Sequence, residues 1–176
     1  MELYFLRHAL AAQRDSIKYK DDTKRPLTAE GEQKMQRCAH GMQALGLTFD
    51  TILCSPYVRA RQTAEIVARV FKLKKTILHL TNNLIPDAPF EKLVLEVRTD
   101  FPDSKNLLFV GHQPHLADLI SYILNTEKPI PFDLKKSGLC HLSQLPAIGQ
   151  DNAVFNWLLT PSQLCLMVPG SSKKGL

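Results

Sequence analysis

No stretch of this sequence stays apolar long enough to cross a membrane, which excludes a helical integral membrane protein. The N-terminus has no basic segment, apolar stretch and cleavage site of a signal peptide, so a soluble, cytoplasmic protein is expected. Cysteine is scarce. Cys38, Cys54, Cys140 and Cys165 are widely separated, lack the paired spacing of a structural zinc site, and read as reduced core residues. No block of like charge exceeds two or three residues, which argues against a disordered or tail-driven chain.

What is present is enough apolar material for one buried core: 176 residues, 44% of them hydrophobic. A single domain over residues 1–170 is expected, with a disordered Ser/Gly-rich tail at 171–176 and a monomeric state. The net charge of +5 suits an acidic partner. The basic residues are dispersed, however, with Lys72, Lys74 and Lys75 behind a helix and Lys173 and Lys174 in the tail. A solvated surface explains them better than a nucleic-acid site, and a phosphorylated acidic protein benefits most from the field.

Apolar runs alternate with helical stretches, the pattern of an α/β architecture. Strands are expected at Glu2–Leu6, Thr51–Cys54, Thr76–His79 and Asn106–Val110. Thr28 caps a helix whose apolar positions are Met35, Cys38, Met42 and Leu45, with Gly46 as its left-handed stop. Ser55 is expected as N-cap and Pro56 as first residue of a second helix, which buries Ala60, Ala64, Val67, Val70 and Phe71. Pro89 opens a third helix on Phe90, Leu93, Val94 and Val97, and Pro114 a fourth on Leu116, Leu119, Ile120 and Ile123. Gly138–Leu142, Val154–Leu159 and Leu164–Val168 are expected as strands of an edge meander. The polar segment Ala9–Lys24 is a long loop over the end of the first strand.

Three of the strands end in residues suited to anions: Arg7-His8, Ser55-Pro56-Tyr57-Val58-Arg59 and Gly111-His112. In an open α/β sheet, ligands bind beyond the carboxyl ends of the strands, which is where these segments lie. Two guanidinium forks match the oxygens of a phosphoryl group, and a helix N-terminus adds an oriented field. Imidazole, with a reference pKa of about 6.5, is an available nucleophile at neutral pH, and His8 or His112 could serve. His115 is expected on a helix surface, and His40, His79 and His141 at surface or sheet positions. No metal is expected, since His112 and His115 lack acidic or cysteine partners at suitable spacing.

Leu6-Arg7-His8-Ala9, the segment Ser55 to Thr63, and Val110-Gly111-His112-Gln113-Pro114 resemble, in order and spacing, the three signatures of the histidine phosphatase superfamily. Asp22 to Thr28 and Leu84-Ile85-Pro86-Asp87-Ala88 resemble its SixA type of phosphohistidine phosphatase. The likeness extends to about Leu124 and returns at Asn156-Trp157-Leu158-Leu159-Thr160-Pro161. It implies a phosphoglycerate mutase-like fold: a three-layer αβα sandwich with a mostly parallel sheet and an antiparallel edge. It also implies that His8 is transiently phosphorylated while Arg7, Arg59 and His112 hold the phosphoryl oxygens. No cofactor is needed, because arginine and imidazole supply the positive charge.

Arg25 either closes over the pocket or contacts the substrate, and Ser55 can add a hydroxyl. Ala9 stands where the superfamily often has glycine. Asp87 has two readings: a cap or first-turn carboxylate for the helix at Pro89, or the general acid that many members supply as glutamate. Weak acid provision favours phosphohistidine, whose imidazole leaves more readily than an alkoxide. The resemblance therefore points to a phosphatase acting on a histidine phosphotransfer domain or a histidine kinase. A small-molecule phosphomonoesterase or mutase, and a non-catalytic phosphoprotein adaptor, remain as alternatives.

Overall fold

The computed structural model describes residues 1–14, 17–144, 148 and 153–170. The unbroken apolar run near the N-terminus forms β1 (Glu2–Arg7), and similar runs form β2 (Thr51–Cys54) and β4 (Asn106–Gly111). Strands buried on both faces need no alternation of polar and apolar residues, and these three show none. With β3 (Leu78–Leu80), β5 (Leu139–Gln144) and β6 (Ala153–Leu159) they make a sheet of order β3-β2-β4-β1-β5-β6. The first four strands are parallel, and β5 and β6 add the antiparallel edge.

Helices cover both faces. On one side α1 (Ala29–Ala44), α2 (Val58–Val70) and α5 (Pro161–Leu166) bury Met35, Cys38, Met42, Ala60, Ala64, Val67 and Leu164 against Tyr4, Leu6, Ile52, Leu108 and Val110. On the other, α3 (Phe90–Asp100) and α4 (His115–Ile123) bury Leu93, Val97, Leu116, Leu119 and Ile120 against Leu3, Phe5, Leu53, Leu107 and Phe109. This is the expected three-layer sandwich with a mostly parallel sheet. All four cysteines are buried and unpaired. Among the described residues no helix is long and apolar enough to cross a membrane.

Several local expectations hold. Thr28 accepts from the Gly31 amide at the start of α1, and Gly46 follows the end of α1 at φ 74°. Others need correction. Leu164–Val168 is not a strand: Thr160 and Gln163 form a reciprocal capping box that starts α5, and Leu164 and Cys165 face α1. The second helix begins at Val58 after Tyr57, so Ser55 does not cap it. Asp87 does not cap α3, whose N-cap is Pro89 without a side-chain bond. The third strand starts later than expected because Lys75–Ile77 forms a 3-10 turn. The tail at 171–176 lies outside the described residues.

The contact between α1 and α5 depends on the absence of a side chain at Gly41. A Cβ there would lie 1.9 Å from the carbonyl oxygen of Leu164, and a backbone atom cannot yield as a flexible side chain can. Gly41→Ala is therefore expected to lower stability by about 2–3 kcal/mol as the two helices separate. Gly46→Ala, in open space but at positive φ, should cost about 1 kcal/mol. Urea denaturation of the two variants checks the order, and an equal or reversed ranking contradicts the packing argument.

Candidate active site

Main-chain pairing brings the predicted residues together. Leu6 pairs with Val110 and Arg7 with Gly111, while Cys54 pairs with Val110 from the other side of β4. The same pattern continues past the strand ends: the His8 amide donates to Gly111 O at 3.0 Å and the Ser55 amide to Val110 O at 3.0 Å. His8, Ser55 and His112 thus emerge side by side at the carboxyl edge of the sheet. The rings of His8 and His112 have centroids 5.2 Å apart.

His8 is 7% exposed and His112 only 2%. Burial lowers the pKa of His8 to about 3, and the nearby positive charges of Arg59, Arg7 and Lys136 push the same way against a raising bond to the Ala9 carbonyl. His112 falls to about 2, again chiefly through burial, with His8 and Arg59 contributing. Both rings are therefore neutral at physiological pH. Nδ1 of His8 lies 2.8 Å from Ala9 O, and a carbonyl can only accept. Nδ1 thus carries the proton and Nε2 the lone pair, which makes Nε2 the nucleophilic nitrogen. Nε2 of His112 is 2.8 Å from Ser55 Oγ, so the serine serves the pocket in place of the helix end.

Two guanidiniums frame these rings. Arg59, 5% exposed in the first turn of α2, donates from one terminal nitrogen to the main-chain oxygen of Asp22 at 2.8 Å. Its other terminal nitrogen is 3.0 Å from the Asp22 carboxylate. Tyr57 lies beneath the guanidinium at 5.0 Å and touches the His112 ring at 4.9 Å between centroids. Arg7 donates to Leu134 O at 2.9 Å and lies 3.7 Å from Asp133. For both arginines Nε is buried without a protein partner among the described residues. Burial lowers both arginine pKa values, while Asp22 and Asp133 act in the opposite direction.

Arg25 reaches the cluster indirectly, with Nε 3.0 Å from the Asp22 carboxylate and a terminal nitrogen 2.7 Å from Ala12 O. Asp87 stands apart. It is exposed at φ 67° and lines a separate hollow with Pro86, Pro114, His115 and Asp118. Its charge acts on His115, which in turn acts on His112. His115 is buried at 4% exposure, not on a helix surface, because the 86–90 segment covers it and Ala88 O binds its Nε2.

Three contributors escaped the sequence reading. Thr63 accepts from the Ala9 amide at 3.0 Å and donates to Arg59 O at 2.7 Å, tying the His8 loop to α2. Its place in the Ser55–Thr63 segment, four residues after Arg59, was the available signal. Asp22 opens the Asp22–Thr28 segment that carries the SixA-type resemblance, yet nothing there marks its contact with Arg59 37 residues on, and Lys136 comes from a distant loop that no spacing marks. Together the neutral nucleophilic imidazole, two oriented guanidiniums and a second imidazole can hold a tetrahedral oxyanion and accept its phosphorus at His8 Nε2.

Comparison with known proteins places this geometry in a wider group. Residues 3–82 match the family model of the histidine phosphatase superfamily (branch 1). An uncharacterized protein of Picosynechococcus is 38% identical over 169 residues, covering 90% of this chain and 99% of its own length. The phosphohistidine phosphatase SixA of Escherichia coli is 25% identical over 166 residues, covering 93% of this chain and 96% of its own. A solved structure of the protein histidine phosphatase SixA complexed with tungstate shares the fold at TM-score 0.77 and 24% identity, over 93% of this chain and 99% of that one. The phosphoserine phosphatase of Entamoeba histolytica shares it at TM-score 0.67 and 16% identity, over 93% and 98%. Sequence likeness along nearly the whole length, over a sheet whose strand ends gather the signature segments into one pocket, makes this chain a member of the histidine phosphatase superfamily.

Proposed function

We propose that the protein removes phosphoryl groups from histidine side chains of phosphorylated proteins, such as a histidine phosphotransfer domain or a histidine kinase. The observation that carries the phosphoryl-transfer chemistry is the neutral His8 ring with its Nε2 lone pair, set among Arg7, Arg59 and His112. Nε2 attacks phosphorus as the P–N bond to the substrate imidazole breaks, and that imidazole departs with a proton from solvent. Arg7 and Arg59 balance the charge spread over the equatorial oxygens, and His112 and Ser55 line the same pocket. Water then attacks phospho-His8, releasing inorganic phosphate and restoring the free imidazole.

Two features support phosphohistidine over a phosphate ester. Asp87, the candidate general acid, lines the neighbouring hollow with Pro114, His115 and Asp118 and acts on His115. Phosphohistidine protonated by solvent on its other ring nitrogen leaves as neutral imidazole and needs no positioned acid, whereas an alkoxide does. Similarity to two proteins described as SixA supports the same substrate class. The four buried, unpaired thiols suit a reducing compartment such as the cytoplasm.

His8→Ala is expected to reduce phosphate release from a histidine-phosphorylated protein by about 1,000-fold or more, and to abolish acid-labile labelling of the enzyme. Turnover that survives the substitution rules out the covalent route. A substrate panel addresses specificity: a strong preference for a sugar or amino-acid phosphate, lost in Asp87→Asn, would identify a small-molecule phosphomonoesterase instead.

The pKa shifts give a second expectation. In the unfolded chain both imidazoles take up protons below about pH 6.5, whereas in the native pocket they do not until far lower pH. Their contribution to stability is therefore complete above that value and is lost as pH falls toward 3. Between pH 6.5 and 5 each should cost the native state about 1–2 kcal/mol. His8→Asn should flatten the pH dependence of urea denaturation over this range. Ring NMR signals of His8 that titrate near pH 6.5 would contradict the neutral-nucleophile description.

A further inference from the structure

The Asp22 carboxylate divides its two oxygens between two arginines, one oxygen 3.0 Å from Arg25 Nε and the other 3.0 Å from a terminal nitrogen of Arg59. Its main-chain oxygen takes the remaining terminal nitrogen of Arg59 at 2.8 Å. Asp22 therefore occupies the terminal nitrogens of the Arg59 fork from one short segment. That segment is itself anchored: Asp21 caps the 3-10 turn Asp22–Lys24 through the Thr23 amide, and Arg25 ties back to Ala12 O.

A guanidinium has five N–H groups, and side-on recognition of an oxyanion uses Nε together with one terminal nitrogen. The Nε of Arg59 is buried and has no protein partner among the described residues. The terminal nitrogens are held by the fold and the Nε edge is left open. Arg7 shows the same division, with a terminal nitrogen on Leu134 O and Nε unpartnered. A buried, nearly inaccessible cation also requires a counter-charge: burial lowers the Arg59 pKa and Asp22 opposes that fall, while the Asp22 carboxyl is held low because Arg25 and Arg59 outweigh its own desolvation.

We propose that Asp22 is a positioning residue that fixes Arg59 by its terminal nitrogens, so that the Nε edge of the guanidinium is preset for a phosphoryl oxygen. The opposite role is also chemically definite: a carboxylate that competes with the substrate anion for Arg59 would act as an internal inhibitor. The two roles predict opposite effects of removing the charge. The positioning role rests on the phosphoryl pocket of the proposed function and is independent of phosphohistidine as the substrate.

The test is Asp22→Asn in the full chain, with equilibrium binding of tungstate as a tetrahedral oxyanion and turnover of p-nitrophenyl phosphate. Positioning predicts tungstate binding weakened roughly 10-fold and kcat/KM lowered about 10- to 100-fold, both measured at a temperature where the variant is fully folded. Asp22→Glu, which keeps the charge on a longer arm, should recover part of both losses. Tighter tungstate binding or faster turnover in Asp22→Asn would establish the inhibitor role and overturn the proposal. Wild-type behaviour of Asp22→Asn, or a loss that Asp22→Glu does not relieve, overturns it as well. If Asp22→Asn does not fold, tungstate affinity of Asp22→Glu decides: weakened binding supports positioning, and unchanged binding opposes it. Failure of the pocket reading shows separately, as absence of tungstate binding by the wild type, and removes this assignment with it. Loss of phosphohistidine activity alone leaves both measurements intact.

Discussion

The parallel register of β1 against β4, and of β4 against β2, is the constraint on which the rest of the molecule depends. It aligns Arg7 with Gly111 and Cys54 with Val110, and the next amides, of His8 and Ser55, extend the same ladder beyond the strands. A one-residue slip of β1 would turn Leu6 and His8 to the opposite face and bring Arg7 to theirs. Shape rather than polarity opposes that slip, because Leu3 and Phe5 fill one cluster and Tyr4 and Leu6 the other, and exchanging them would misfit both close-packed layers. Core packing and site geometry are consequently one specification.

Within that frame the pocket concentrates positive charge around rings that must stay uncharged. Burial supplies most of the effect on His8 and His112, and the neighbouring guanidiniums reinforce it. The arginines in turn are tied down by carboxylates and carbonyls from two separate loops, Asp22 on one side and Leu134 with Asp133 on the other. Nucleophile and cations thus come from strand ends and a helix turn, while the groups that orient them come from connections. Precision is divided between rigid and less regular parts of the chain.

The strand-end residues were legible because each is local: an apolar run followed by Arg-His, Ser-Pro or Gly-His needs no knowledge of distant contacts. The sheet edge was harder. Leu164 to Val168 is apolar enough to read as a strand, and a helix of six residues is too short to display a period, although Thr160 and Gln163 carried the capping signal. Ser55 followed by Pro56 looked like a cap, yet its hydroxyl sits on a histidine 57 residues away. The same difficulty hides Asp22, which meets Arg59 across 37 residues. Burial of His115 depends on the 86–90 segment folding over α4, which composition does not disclose.

The central position of β1 has a consequence for how the chain reaches this state. β1 precedes the other strands of its sheet in the chain yet is enclosed by β4 on one side and β5 on the other, so its hydrogen-bond partners lie roughly a hundred residues or more downstream. Closing such loops precedes any reward from pairing, which slows folding of sheets with long-range order. During synthesis the apolar segment Leu3-Tyr4-Phe5-Leu6 must wait without its neighbours until β4 and β5 have been translated. The same residues that later align the nucleophile are thus an apolar, unpaired segment beforehand, the kind of surface through which folding chains misassociate.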